Sequence, residues 1–149
     1  MKRPKSFSVG TAMVTFVIGV AASVLVFPPR TFSVVNRDGV NAPNLGPSGK
    51  GRGMATSSWV SSDGLTVDHV VIGYSSVEDA RSDFDLERSR AEQVIELSTE
   101  SSRLVAKFGP SYRRSFKVIT LEQNQISYIQ SPHLEAALAF EKSWLKIPW

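Results

Sequence analysis

The sequence predicts an α+β fold in three parts. A membrane-spanning N-terminal helix (residues 6–27) leads through a flexible connection (28–64) into a small two-layer sandwich (65–149). In that sandwich a mainly antiparallel four-stranded sheet carries two helices, in the order β-α-β-β-β-α. Three observations point there. An uncharged apolar run opens the chain, and a stretch rich in Pro, Gly, Ser and Asn follows it. Only after residue 64 do apolar residues recur with the periods of strands and amphipathic helices.

Composition bounds the reading. The chain has 149 residues, 42% hydrophobic and 21% charged, which excludes whole-chain disorder. A mean hydropathy of -0.08 excludes a multi-span membrane protein. The absence of cysteine excludes disulfides, thiolate metal sites and a cysteine nucleophile. Residues 1–64 carry seven basic side chains against two acidic ones, or +5, and residues 65–149 carry ten against twelve, or −2, within a total of +3. The basic character belongs to the N-terminal part, so the folded part lacks the basic balance expected of a nucleic-acid partner.

From Ser6 to Phe27 the chain runs 22 residues with no charge and no proline. At helical rise this is about 33 Å, enough to cross the hydrocarbon core of a bilayer. Such a segment satisfies its backbone only as a helix, and Pro28-Pro29 ends it. Residues 6–27 therefore read as a signal anchor in contact with lipid, preceded by a basic tail at residues 1–5. Lys2, Arg3 and Lys5 outweigh Arg30 and Arg37, which places the N-terminus in the cytoplasm and exports the C-terminal domain. The alternative is a signal peptide cut near Ser23, after Val20-Ala21-Ala22, which would release a secreted domain. A mitochondrial presequence fits less well, because the uncharged core is not amphipathic. Thr11, Thr15, Gly19 and Ser23 line one helix face at the spacing of small-residue contacts between membrane helices, a spacing that membrane helices also show by composition alone.

Residues 28–64 read as a spacer, with Pro28, Pro29, Pro43, Pro47 and six glycines. Val34-Val35 and Trp59-Val60 are at most short edge strands. The tract Gly46 to Gly53 invites a phosphate-loop reading but lacks the Lys-Ser/Thr that must follow its second glycine. The chain holds no internal repeat.

The domain begins with a strand, Leu65 to Tyr74, after the Asp63-Gly64 turn signal. Val70, Ile72 and Tyr74 share one face and Val67, His69 and Val71 the other, as in an inner strand. Ser75 with Glu78 fits a capping box, and Val77, Ala80, Phe84, Ala91, Val94 and Ile95 make an apolar stripe on a helix from Val77 to Leu97. Three strands follow, at Arg103–Phe108, Arg113–Leu121 and Ile126–Gln130, turning at Gly109-Pro110 and at Glu122–Gln125. Ser131-Pro132 opens the second helix as N-cap and first helical residue. Its stripe is Leu134, Ala137, Leu138, Glu141, Trp144 and Leu145, and Pro148 stops it. Phe84, Phe116, Tyr128 and Trp144 are the candidate core anchors.

The chemistry-bearing residues assemble no catalytic, cofactor or metal motif. His69 and His133 are the two histidines, too few for a zinc set without cysteine. Asp68 and His69 point to opposite faces of a strand. Asp79, Asp83, Asp85 and Glu87 read as a solvated helix face, and Arg113-Arg114 as a solvated pair at a strand start. Trp59 and Trp149, outside the expected core, suit a membrane interface or a partner's pocket. The sequence thus points to a single-pass membrane protein whose exported domain binds or scaffolds a protein partner. The alternative is a small enzyme, anchored or secreted, with a sparse site near Ser131 and His133.

Overall fold

The computed structural model describes residues 29–110 and 114–144. Seven strands and two helices follow in the order β1 (Phe32–Leu45), β2 (Gly51–Ser61), β3 (Thr66–Tyr74), α1 (Val77–Arg90), β4 (Gln93–Ser98), β5 (Arg103–Phe108), β6 (Ser115–Glu122), β7 (Gln125–Ser131) and α2 (Leu134–Trp144). The strands form one sheet in the order β1-β2-β3-β7-β6-β5-β4, and every neighbouring pair is antiparallel.

The expected four-stranded, two-layer sandwich is corrected in three places. First, residues 28–64 are not a spacer, because β1 and β2 form a long hairpin and β2 is an inner strand. Its Gly and Ser residues carry little strand propensity. Its backbone is nonetheless paired on both sides, with β1 and with β3. Strand formation depends more on such neighbours than on intrinsic preference. Pro43 is tolerated because β1 is an edge strand, and it falls where the register shifts between Asn41 and Leu45.

Second, the long helix to Leu97 ends at Arg90. Ala91 turns extended (φ -62, ψ 127), and the Glu92 N–H donates to the Lys107 carbonyl at 2.9 Å, which starts the pairing of β4 with β5. Val94 and Ile95 match helical spacing, yet their β-branching suits the edge strand they occupy. The helix is capped by Ser76, whose Oγ accepts from the Asp79 N–H at 3.1 Å, rather than by Ser75.

Third, the helices take opposite faces, so the domain has three layers. Under α1, Ala80 and Phe84 pack with Ile72, Tyr74, Leu104, Ala106, Ile119, Leu121, Ile126 and Tyr128. Under α2, Ala136, Ala137 and Phe140 pack with Trp59, Val67, Val105, Val118 and Ile129. Successive residues of the inner strands alternate between the two cores, as pleating requires. Of the expected anchors, Phe84 and Tyr128 are buried, whereas Phe116 and Trp144 are only partly so.

No helix among the described residues is long and apolar enough to cross a membrane. The segment 6–27 lies outside the described residues.

Candidate functional site

The α2 side of the sheet carries an open trough. Helix α2 has 11 residues, about 16 Å of length, and covers only part of this face. Beyond it two cross-strand rows are left open. One runs Gly39, Ala55, Val71, Ser127, Thr120, and the next runs Asn41, Gly53, Gly73, Gln125, Glu122. Most of these side chains are small, so the floor is shallow and continuous across five strands. Val71, Ile129 and Trp144 give one stretch apolar walls, and Thr120, Gln125, Ser127 and Glu141 add hydrogen-bonding groups around about 740 Å³ of open space. The trough extends past Val71 to Arg37, Ala55 and Ser57 on one side and to Gly39, Gly53 and Gly73 on the other.

His69 sits at the junction of trough and core. It is 3% exposed, and its Nε2 lies 2.9 Å from the Ser127 Oγ. Its ring meets Trp144 edge-on at 4.6 Å and Phe140 at 5.8 Å. Burial pulls its pKa down from 6.5 to about 4, so the imidazole is neutral at pH 7. A neutral imidazole beside a serine hydroxyl resembles a nucleophile and its base. Ser127, however, lies on β7 between β3 and β6, and the backbone around it is committed to those two ladders. The amides that would stabilise an oxyanion are thereby already used. The pair is suited to hold a ligand's polar group and to fix the floor of the trough.

Glu141, at the trough wall, accepts two bonds from Arg103, at 2.6 Å from Nε and 2.7 Å from Nη2, and Arg103 also reaches Glu96 at 2.7 Å. Glu141 first, then Glu96, holds the guanidinium's pKa above its ordinary value. This fork fixes α2 against β5.

The remaining sequence candidates are placed as follows. Ser131 and His133 do not form a dyad. The Ser131 hydroxyl donates its proton to the Thr66 carbonyl at 2.7 Å and accepts the His133 backbone N–H at 3.2 Å. The exposed His133 imidazole lies 3.8 Å from Glu135. The four carboxylates of α1 do not share a solvated face. Asp85 is exposed and Asp79 pairs with Lys50 at 3.1 Å, but Asp83 and Glu87 are buried. Asp83 accepts from the Tyr74 hydroxyl at 2.7 Å and from the Ser48 N–H at 3.1 Å, and Glu87 pairs with Lys117 at 3.1 Å. Burial, then the bond to Asp83, raises the Tyr74 pKa. The neighbouring Tyr128 hydroxyl is buried without a hydrogen bond among the described residues.

The glycine tract is the β1–β2 turn, closed by the Gly49 N–H donating to the Gly46 carbonyl at 3.1 Å. Gly46 has φ +77, and a Cβ there would lie 2.7 Å from the Tyr74 hydroxyl and 2.8 Å from Asp83. The tract therefore seats the turn on the Asp83 network. Trp59 is a core residue, its Nε1 donating to Ser57 at 2.8 Å. Arg114 is exposed, while Arg113, Trp149 and the stripe Thr11, Thr15, Gly19 and Ser23 lie outside the described residues. Among the described residues no group of three or more His, Asp or Glu side chains is placed to hold a metal ion.

Sequence reasoning missed Ser127, Thr120 and Gln125. The available signal was a small polar residue, Ser127, between Ile126 and Tyr128 on a strand, but its meaning depends on β7 lying beside β3. No protein-family model, no curated protein and no solved structure matches the chain.

Proposed function

We propose that this chain is a single-pass membrane-anchored protein, N-terminus cytoplasmic, whose extracytoplasmic domain is a non-enzymatic binding module for a protein partner. The observation that carries the binding role is the trough. A sheet face this long, floored by Gly39, Gly53, Ala55, Val71, Gly73 and Ser127 and flanked by Trp144, admits an extended chain or a helix without displacing large side chains. Ser127, Gln125 and Thr120 supply the few polar groups that orient a ligand in such a site. The anchor rests on the 22 uncharged residues from Ser6 to Phe27.

A photo-crosslinking residue at Ala55, in the trough, is compared in native membranes with one at Arg81, exposed on α1. The expected result is a discrete adduct from Ala55 and none from Arg81. Adducts from neither position, or equal ones from both, would sink the binding role. Intact mass of the membrane fraction tests the anchor, which predicts the full-length chain. A chain beginning near Ser23 in the soluble fraction overturns it.

A further inference from the structure

The antiparallel order puts specific segments together at one end of the sheet. β1, β3, β6 and β4 begin there, and β2, β7 and β5 end there. That end therefore gathers residues 29–31, the β2–β3 turn, Gly109-Pro110 after β5, Arg114 before β6, the last turn of α1 and the start of α2.

The connection to the apolar segment is short. Arg30 Nε donates to Asp63 at 2.9 Å, and the Ser62 N–H donates to the Thr31 carbonyl at 2.9 Å, so the chain is pinned to the β2–β3 turn from Arg30 onward. Only Pro28 and Pro29 separate Arg30 from Phe27. Three Cα steps span at most about 11 Å, and proline restricts the backbone further. That reach is comparable with the thickness of one headgroup layer. The Arg30–Asp63 corner must therefore lie at headgroup level whenever residues 6–27 cross a bilayer.

The charges agree with this placement. Arg88 and Arg90 in the last turn of α1, and Arg114 before β6, are exposed and have no ion-pair partner among the described residues. Of the carboxylates at the same end, Asp63 pairs with Arg30 and Glu92 with Lys107, Glu135 lies near His133, and Asp68 accepts from the Ser58 hydroxyl. The opposite end exposes Glu78, Glu100 and Glu122 together with Arg52, Arg81 and Lys142, so its exposed charges balance.

We infer that the end of the sheet bearing Arg88, Arg90 and Arg114 is a docking surface for an anionic lipid headgroup layer, holding the domain upright with the trough half of α2's face directed away from the bilayer. The inference rests on the membrane-anchor reading. The tether alone fixes one corner, near β1. Docking additionally brings down Pro110 and Arg114, about 20 Å across the sheet from that corner. Each arginine at an anionic surface changes the docked-to-undocked ratio by about fivefold, so three contribute roughly a hundredfold.

Because the chain has no cysteine, single-cysteine probes report cleanly. The full-length chain carrying Pro110→Cys or Glu100→Cys is labelled and placed in vesicles of phosphatidylcholine alone or with 30% phosphatidylglycerol. Energy transfer to headgroup-labelled lipid is then measured. The expected result is strong transfer from the Pro110 position and weak transfer from the Glu100 position, in anionic vesicles only. Arg88→Gln/Arg90→Gln/Arg114→Gln should abolish the difference, and Arg81→Gln/Lys142→Gln should leave it. Equal transfer in neutral and anionic vesicles, or indifference to the triple change, overturns the inference while the anchor stands. Carbonate extraction of the same vesicles separates the two ideas. Release of the chain overturns the anchor. If released chain still binds anionic vesicles through the three arginines, the surface is upheld, and if it does not, both fall.

Discussion

Beneath α1 the sheet buries two carboxylates, and beneath α2 it buries an imidazole and a group of aromatic rings. On the α1 side Asp83 and Glu87 reach inward between Ala80 and Phe84, each held by named partners. Those polar groups pin the β1–β2 turn and β6 to the helix. On the α2 side Phe140 touches Phe32, Trp59, His69 and Trp144 with ring centroids 5.1 to 5.8 Å apart. That packing is concentrated at one half of the face, and the other half is the trough. The difference teaches how one sheet can be rigid and still present a surface: the polar network fixes position on one side, so the other need not be fully covered.

The comparison is broken most severely at Phe140, which is 2% exposed. Phe140→Ala removes the ring that all four neighbours share and should cost about 4 kcal/mol. Chemical denaturation would register it as a lower midpoint with the same slope. Asp83→Ala should cost about 3 kcal/mol, since it strands the buried Tyr74 hydroxyl and releases the Ser48 N–H that holds the β1–β2 turn. In a chain of this length that is a fall of about 10 °C in melting temperature. Asp83→Asn should lose less, because an amide oxygen still accepts one of the two bonds. Equal losses for Ala and Asn would show that the network contributes nothing beyond shape.

The third effect is a pH dependence peculiar to the α2 side. His69 has a folded pKa of about 4 against 6.5 in the unfolded chain. The unfolded state binds the proton first as pH falls. The stability that His69 contributes is thus present above pH 6.5 and lost progressively between pH 6.5 and 4, by about 3 kcal/mol. The lowered carboxylates Asp79, held down by Lys50 and Ser76, and Asp63, by Ser61 and Arg30, act below their unfolded value of 3.8. They leave that window to the histidine. His69→Gln should flatten stability between pH 6.5 and 4, followed by urea midpoints, and an unchanged slope would remove His69 from the account.

The smallest effect sharpens the contrast. Ala55 is exposed on the trough floor, so Ala55→Trp should leave the melting temperature within about 2 °C. The same change should abolish partner capture in the trough, read by a photo-crosslinker at Ser57. A stable Ala55→Trp protein that still forms the adduct would move the binding surface elsewhere.

Parts of this architecture are legible in the residues alone. The two-sided apolar pattern of Val67 to Tyr74 marks an inner strand, and β3 is flanked by β2 and β7. Gly109-Pro110 marks a reversal, and Gly109 has φ +80 there. Ser131-Pro132 announces α2 only approximately: Ser131 ends β7 and accepts the His133 N–H, and the helix begins at Leu134, so Ser131 is not its N-cap and Pro132 not its first residue. Each of these signals is local, carried by residues that touch or alternate within a few positions. The uncharged run at residues 6–27 is equally local, and it remains the basis of the proposed anchor.

Tertiary pairing decided the rest. β2 is a strand because β3 offers a ladder to residues of low propensity, β1 because β2 then offers the next, and β4 because Glu92 meets Lys107 of β5. Asp83 and Glu87 are buried because Tyr74, the β1–β2 turn and Lys117 arrive from distant parts of the chain. The trough exists because α2 is shorter than the sheet is wide, and a five-strand row becomes a row only once the strands are paired. Sequence spacing encodes one helix face or one strand face. It does not encode which strands become neighbours, because that choice is set by contacts across 30 to 65 positions.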